Sequence, residues 1–483
     1  MEQAPRCAFV IYGMTGDLSA RKLMPALYEQ HLKKTLNPES VIVGYARSDM
    51  SSEALRGKMK DALKEYVDDF DEKVWDELAP RISYIDATAY DSVKDHKKLK
   101  KHLESLDQEN RVFYTATPPA SYEGIVQALA DSGLNTSDGF VRLVIEKPFG
   151  NDLESAKALN DHVLKYFEED QIYRIDHYLA KETAQNLSAL RFANTIFEPI
   201  WSNRYIDHVQ VTMMEPIGVE GRGSFYEAAG VIRDVFQNHL LQLLALVAME
   251  PPARWDARSV RDEKVKVFNA MACLEPKDAV MGQYTNNGNM AAYRNEDGVD
   301  PESNQATYAA VELHVHNWRW EGVPFYVRSG KRLESKASEI VLHFKKPPHI
   351  PFQLESPLRS DRLVLRLVPD EGISLRFNAK EPGGQTFGLE RVGMKFFYDK
   401  EFNRPNPDAY ETLLLDAMTG DPTLFMRADE VEAQWRVVQP LLEYWDSGTR
   451  KPAFYKAGSS GPEEANLLLA SNGYIWHAPD NGK

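Results

Sequence analysis

Short apolar runs separated by amphipathic stretches mark the first third of the chain. Residues 8–12 (AFVIY) form a β-prone run ending at Gly13, and 20–32 carry the 3.6-residue spacing of an amphipathic helix. The run 41–45 reads as a second buried strand, and helical spacing resumes over 52–78. Residues 82–85, 112–115 and 141–145 are further strand candidates. Buried strands alternating with helices predict a parallel, doubly wound α/β sheet. Past residue 205 the period becomes two. Val209, Val211 and Met213 alternate with polar neighbours, as do Val311, Leu313 and Val315; so do Leu363, Leu365 and Leu367, and then Ile373, Leu375 and Phe377. Pro369-Asp370-Glu371-Gly372 between the last two runs is hairpin chemistry. This pattern predicts a mainly antiparallel sheet, with helices over 231–249 and 410–418 to cover its apolar face. The expected organisation is an α/β domain over 1–175 and a larger α+β domain over 176–483.

Composition narrows the function classes. Lys plus Arg number 57 and Asp plus Glu 72, a net charge of −15 over 483 residues, which argues against binding a nucleic-acid backbone. Hydrophobic residues at 43% and charged residues at 27% are those of a globular chain. Two cysteines, Cys7 and Cys273, are too few for a disulfide framework or a thiolate zinc cluster and fit a reducing compartment. The start, Met1 to Arg6, lacks a signal-peptide pattern, and the apolar stretch 239–249 is short for a membrane span. A soluble cytoplasmic protein is expected.

Several motifs carry chemistry. Gly13-Met14-Thr15-Gly16-Asp17-Leu18 lies between a strand and a helix, where glycines permit close backbone approach and free N–H groups face a pyrophosphate. The G-x-x-G spacing also serves a plain turn. Arg47-Ser48 ends the second strand, where an NAD site usually places an acid; a guanidinium fork and a hydroxyl there suit a 2′-phosphate. This favours NADP, with NAD as an alternative coenzyme. Lys147, in Glu146-Lys147-Pro148, ends a strand and is aimed at the ligand crevice. If the chain is helical from Asp176 on, His177 and Lys181 share a face at i, i+4 with Tyr178 beside it, a patch suited to a phosphate ester.

Arg233, Asp234 and His239 precede or enter a strongly apolar helix and need partners. An ideal α-helix sets His239 about 140° round from Asp234, so from spacing alone His239 reads more readily as a satisfied core residue than as a base. Arg328, Lys331, Arg332 and Lys336 predict a local positive site for an anionic substrate. His314 and His316 lack a carboxylate or thiol constellation and read as structural; no metal is expected.

With these segments in order, the chain closely resembles the glucose-6-phosphate dehydrogenases. The matching stretches are 13–28 (GMTGDLSARKLMPALY), 146–150 (EKPFG), 174–182 (RIDHYLAKE), 218–242 (GVEGRGSFYEAAGVIRDVFQNHLLQ), 323–333 (VPFYVRSGKRL) and 455–462 (YKAGSSGP). The resemblance implies a Rossmann-type coenzyme domain joined to the larger sheet domain, assembled as a homodimer or homotetramer. It implies oxidation of glucose 6-phosphate at C1, with His239 as general base and Asp176 orienting it. It gives His177, Tyr178 and Lys181 to the phosphate with Lys336 nearby, Lys147, Glu215, Asp234 and Lys331 to the sugar, and Thr15 and Arg47 to the coenzyme. Two departures stand out. Ala180 replaces the family's usual glycine, which questions the local turn, and Ala20 stands where a basic residue commonly precedes the Arg21-Lys22 pair. The rival readings are a polyol oxidoreductase of similar architecture and a catalytically silent NADP-binding regulator.

Overall fold

The computed structural model describes residues 3–351, 357–383, 388–402 and 406–479; Met1 and Glu2 of the start lie outside them. The chain divides into two compact units. One comprises Met1–Ala180, Arg254–Arg261 and Pro407–Glu432, the other Lys181–Ala253, Asp262–Asn406 and Ala433–Lys483.

The first unit holds a seven-stranded sheet in the order Phe425–Met426, Ile172–Ile175, Val141–Ile145, Arg111–Thr115, Ala8–Tyr12, Val41–Ala46, Ile82–Asp86. All pairings are parallel except that of Phe425–Met426 with Ile172–Ile175. The order reverses at Ala8–Tyr12, so the crevice beyond its C-terminal end, at Gly13, is the topological switch point where such sheets bind ligands. The expected helix over 52–78 is two helices, Ser52–Tyr66 and Glu72–Leu78. The break has a local cause: Asp71 Oδ1 accepts from Lys73 N at 2.8 Å and caps the second helix.

One expectation is overturned here. The helix predicted over 410–418 is present as Ala409–Thr419, but Tyr410, Leu413, Leu414, Ala417 and Met418 pack in the core of the parallel sheet, with Phe9, Ile11 and Leu27. An apolar helix stripe says that the face is covered and not by which sheet. Gly420, with φ of 92°, closes this helix in the left-handed conformation glycine tolerates.

The second unit is built on nine strands in the order Leu389–Phe397, Gly372–Lys380, Arg362–Val368, Ala337–Phe344, Ile206–Met214, Phe325–Gly330, Tyr308–Leu313, Ala279–Thr285, Ala453–Lys456. Neighbours are antiparallel except for two parallel pairs, Ile206–Met214 with Phe325–Gly330 and Ala279–Thr285 with Ala453–Lys456. The predicted hairpin forms, with Leu365 opposite Ile373. The period-two strand Ile206–Met214 is buried on both faces, because the tail of the chain covers its polar side. Gln210 Nε2 donates to the Ile475 carbonyl at 2.8 Å, and Gln210 Oε1 accepts from His477 N at 2.7 Å. The apolar helix Leu241–Ala248 is buried along its whole length.

Candidate functional site

In the first unit, Gly13 follows the central strand with φ of +78°, and a Cβ there would lie 2.2 Å from the Ala116 carbonyl oxygen. Only glycine lets the chain turn so close to the neighbouring strand end. Gly16 N then donates to the Gly13 carbonyl at 2.9 Å, and Ser19 Oγ to the same carbonyl at 3.2 Å. These bonds fold Gly13, Thr15 and Gly16 into a compact turn that runs straight into helical Asp17 and Leu18 and the π-helical turn Ser19–Leu23. Thr15 Oγ1 meets Ser48 Oγ at 3.1 Å, so the loop and the end of the second strand present their hydroxyls together. Exposed Arg47 lies with its guanidinium carbon 5.0 Å from the centre of the Tyr90 ring. Cramped glycine, paired hydroxyls and a guanidinium fit a dinucleotide carrying an extra phosphate.

Lys147 is half-buried just past Val141–Ile145 and is joined to Pro148 by a cis peptide. Its neighbour Glu146 is buried and accepts from Tyr114 Oη at 2.5 Å. Burial pushes the Glu146 carboxyl up, against the hydrogen bonds from Tyr114 and Tyr410.

The segment after Ile172–Ile175 corrects a second expectation. Residues 176–180 form a turn, and the helix begins only at Glu182, with Lys181 as its N-cap. Asp176 explains the difference: its Oδ1 accepts from Tyr178 N at 3.0 Å, a side-chain turn that competes with helix. His177 and Lys181 therefore do not share a helical face. The half-buried His177 ring lies 5.0 Å from Tyr178 and stacks at 6.1 Å on Tyr410, a residue the motif search did not single out. Ala180 is buried and does not take the left-handed backbone that demands glycine. In the second unit, Thr183 N and Oγ1, directly after Lys181-Glu182, donate to Glu371 Oε2 at 3.1 and 2.7 Å.

Also in the second unit, Ile232–Leu240 is a π-helix carrying Arg233, Asp234 and His239. Its i→i+5 hydrogen bonds close a wider turn than the α-helix does, so residues five apart stand about one turn apart. The separation expected of Asp234 and His239 on an α-helix is thereby removed. Side chains hold this register. Asn238 Nδ2 donates to the Arg233 and Asp234 carbonyls at 3.1 and 3.2 Å, and Asn238 Oδ1 accepts from His239 N at 2.6 Å. Gln434 Nε2 donates to the Gln237 carbonyl at 3.0 Å, and Gln242 Nε2 donates to Gln434 Oε1 at 3.2 Å. His239 is buried.

Facing that helix, Lys331 Nζ donates to Glu215 Oε2 at 2.5 Å and lies 4.0 Å from Asp234 Oδ2. It is 3% exposed, and the two carboxylates compensate this buried ammonium. Its Nζ also stands 5.2 Å from the centre of the Tyr226 ring, whose buried hydroxyl has no hydrogen-bond partner among the described residues. Two carboxylates held on one ammonium leave acceptor lone pairs for hydroxyl groups, which suits a polyol.

The positive patch expected from Arg328, Lys331, Arg332 and Lys336 does not form as a patch. Arg328 is buried and donates to the His477 carbonyl at 3.0 Å, and Arg332 pairs with Glu296 at 3.2 Å. Only Arg328 lies on the strand Phe325–Gly330; Lys331, Arg332 and Lys336 follow in the connection to Ala337–Phe344, so the four do not share one surface. Lys336 alone of the four is exposed. His314 and His316 pair with Glu312 at 3.0 Å and Glu321 at 3.2 Å.

The comparisons with known proteins concern the family and the fold. Residues 10–186 match the family model described as glucose-6-phosphate dehydrogenase, NAD binding domain, and 188–477 match that of the C-terminal domain. A glucose-6-phosphate 1-dehydrogenase of Chlamydia pneumoniae is 43% identical, over 98% of this chain and 96% of its own. One from Aggregatibacter actinomycetemcomitans is also 43% identical, over 99% and 98%. Among solved structures, a glucose-6-phosphate dehydrogenase in complex with its substrate glucose 6-phosphate superposes with a TM-score of 0.92 at 37% identity, covering 99% of this chain and 100% of that one. The Mycobacterium avium enzyme gives 0.88 at 35% identity, covering the whole of both chains.

Proposed function

The chain belongs to the glucose-6-phosphate dehydrogenase family and oxidises β-D-glucose 6-phosphate at C1 to 6-phospho-D-glucono-1,5-lactone with NADP, the first step of the oxidative pentose phosphate pathway; we propose that His239 is the base of that reaction. A neutral imidazole accepts a proton at neutral pH, and His239 takes the one on the C1 hydroxyl. Asp176 orients the ring and stabilises the imidazolium that forms. When bound, the nicotinamide accepts the hydride from C1. Glu215 and Asp234, held by Lys331, accept hydrogen bonds from the sugar hydroxyls. Lys147 also contacts the sugar and the coenzyme. His177, Tyr178 and Lys181, with Lys336 nearby, hold the phosphate. Thr15, Arg47 and Ser48 take the 2′-phosphate, and the loop of Gly13, Gly16, Asp17 and Leu18 takes the pyrophosphate.

The observation that carries this reading is the π-register of Ile232–Leu240, which stands His239 one turn from the carboxylate that Lys331 holds. π-turns of this kind cost hydrogen-bond quality and recur at functional sites. Initial rates crossing glucose 6-phosphate and free glucose with NADP and NAD test it. Turnover is expected to demand the phosphorylated sugar and to run best with NADP. Equal rates on free glucose would remove the phosphate-binding roles.

We further propose a cytoplasmic homodimer or homotetramer. Strands Gly372–Lys380 and Leu389–Phe397 end the large sheet with a partly open face on which Val392 and Met394 are exposed, the kind of surface a second copy covers. No helix among the described residues is long and apolar enough to cross a membrane. Sedimentation velocity giving a monomer at micromolar concentration would contradict the assembly.

A further inference from the structure

We propose that Lys58 is a specificity-determining residue for NADP, the second cation of the 2′-phosphate cradle formed by Thr15, Arg47 and Ser48. The inference rests on that coenzyme reading and adds a residue no motif pointed to.

The charge around the loop carries the argument. Ala20 contributes none. Arg21 is tied to Asp17 at 2.8 Å and leans over the Tyr66 ring at 5.5 Å, and Lys22 is tied to Asp408 at 2.7 Å. The basic pair of the loop is thus already neutralised. Arg47 and Lys58 are different: among the described residues neither has a carboxylate within ion-pair distance. Lys58, exposed on the helix Ser52–Tyr66, sends Nζ to the Thr15 carbonyl at 2.7 Å. One of its three N–H donors is used and two remain. The same residue, Thr15, turns its hydroxyl to Ser48 at 3.1 Å, and Ser48 adjoins Arg47.

An ammonium and two hydroxyls therefore meet at one loop residue, Arg47 adjoins them through Ser48, and no carboxylate among the described residues balances either charge within ion-pair distance. A phosphate dianion supplies that balance; a bare ribose 2′-hydroxyl, as in NAD, supplies none. Arg47 offers a planar fork, its plane supported by Tyr90, and Lys58 a point charge held at the Thr15 carbonyl.

The test measures binding of 2′,5′-ADP and of ADP by calorimetry to the full-length wild type, Lys58→Gln, Lys58→Arg and Arg47→Ala, with the kcat/KM ratio for NADP over NAD alongside. Lys58→Gln is expected to weaken 2′,5′-ADP about tenfold, the order of one solvent-facing charge-assisted contact to a dianion, and to leave ADP within twofold. Lys58→Arg keeps most of the selectivity. Equal weakening of both nucleotides would make Lys58 a loop anchor acting through the Thr15 carbonyl and overturn the proposal, as would no weakening at all. If Arg47→Ala alone loses selectivity, only Lys58 falls. If neither variant does, the 2′-phosphate is held elsewhere and the coenzyme reading falls with it.

Discussion

The two units hold their cations in opposite ways. At the dinucleotide loop Arg47 and Lys58 stand in solvent with no carboxylate among the described residues within ion-pair distance, whereas in the second unit Lys331 is buried between Glu215 and Asp234. The difference fits the ligand proposed for each place. A phosphate brings its own negative charge, so its cradle can wait positive in water at little cost. A sugar ring brings neutral hydroxyls, so a charged group that meets it must already be compensated before the sugar arrives. His239, the proposed base, belongs to the second kind of place, on a buried helix whose register is held by the amides of Asn238 and Gln434.

The sharpest way to break this contrast is to remove the base. His239→Asn keeps a polar side chain and is expected to cut kcat by roughly 10²–10⁴-fold with KM for glucose 6-phosphate changing only a few-fold. Steady-state kinetics checks it, and loss of binding with turnover intact would reassign His239 to the substrate grip. Next in size is Lys331→Met. It strips the compensation from Asp234 and Glu215, and because the Glu215 side chain is 39% exposed the stability loss is set below that of a fully buried pair, at about 1–3 kcal/mol. Denaturant unfolding should show that loss together with a raised KM. Unchanged stability would mean that the two carboxylates do not depend on the ammonium.

What the sequence made legible divides along the same line. The loop Gly13–Leu18 and Arg47 were readable because strand, turn and helix dipole are local features that chain order sets out. Lys58 was not, since its approach to Thr15 spans 43 residues and no motif marks it. The π-register was hidden as well. Asn238 acts locally, but Gln434 reaches Gln242 from 192 residues away, and periodicity registers only that a face is apolar. The helix predicted from Asp176 failed because a cap-forming aspartate starts a turn as readily as a helix, and the choice rests on where its Oδ1 finds an N–H. The four cations at 328–336 looked like one patch because closeness in sequence does not show that Arg328 is buried on its strand while the other three lie in the connection after it. The α/β and α+β architectures survived these misses, since buried alternation needs only the count of covered faces.

The smallest effect expected is also the one that sharpens what neighbours do to a buried base. His343, on the strand Ala337–Phe344, stacks on His208 with ring centres 4.1 Å apart. Burial pushes its pKa down to about 2, helped by the positive fields of His208, His477, Arg362 and Arg391. Lys331 stands between carboxylates; His343 is kept neutral by burial beside positive groups. Its folded pKa lies below the ordinary 6.5, so under that pH the unfolded chain takes up a proton that the folded one refuses. Stability therefore falls as the medium is acidified, by at most about 1.4 kcal/mol per pH unit from this group. His343→Phe removes that proton uptake and fills a similar volume. Melting curves at pH 7 and pH 5 should bring the variant and the wild type closer at the lower pH, with the variant losing less on acidification. An identical loss in both proteins would show that His343 accepts its proton while folded, with His208 and His477 moving to admit the charge.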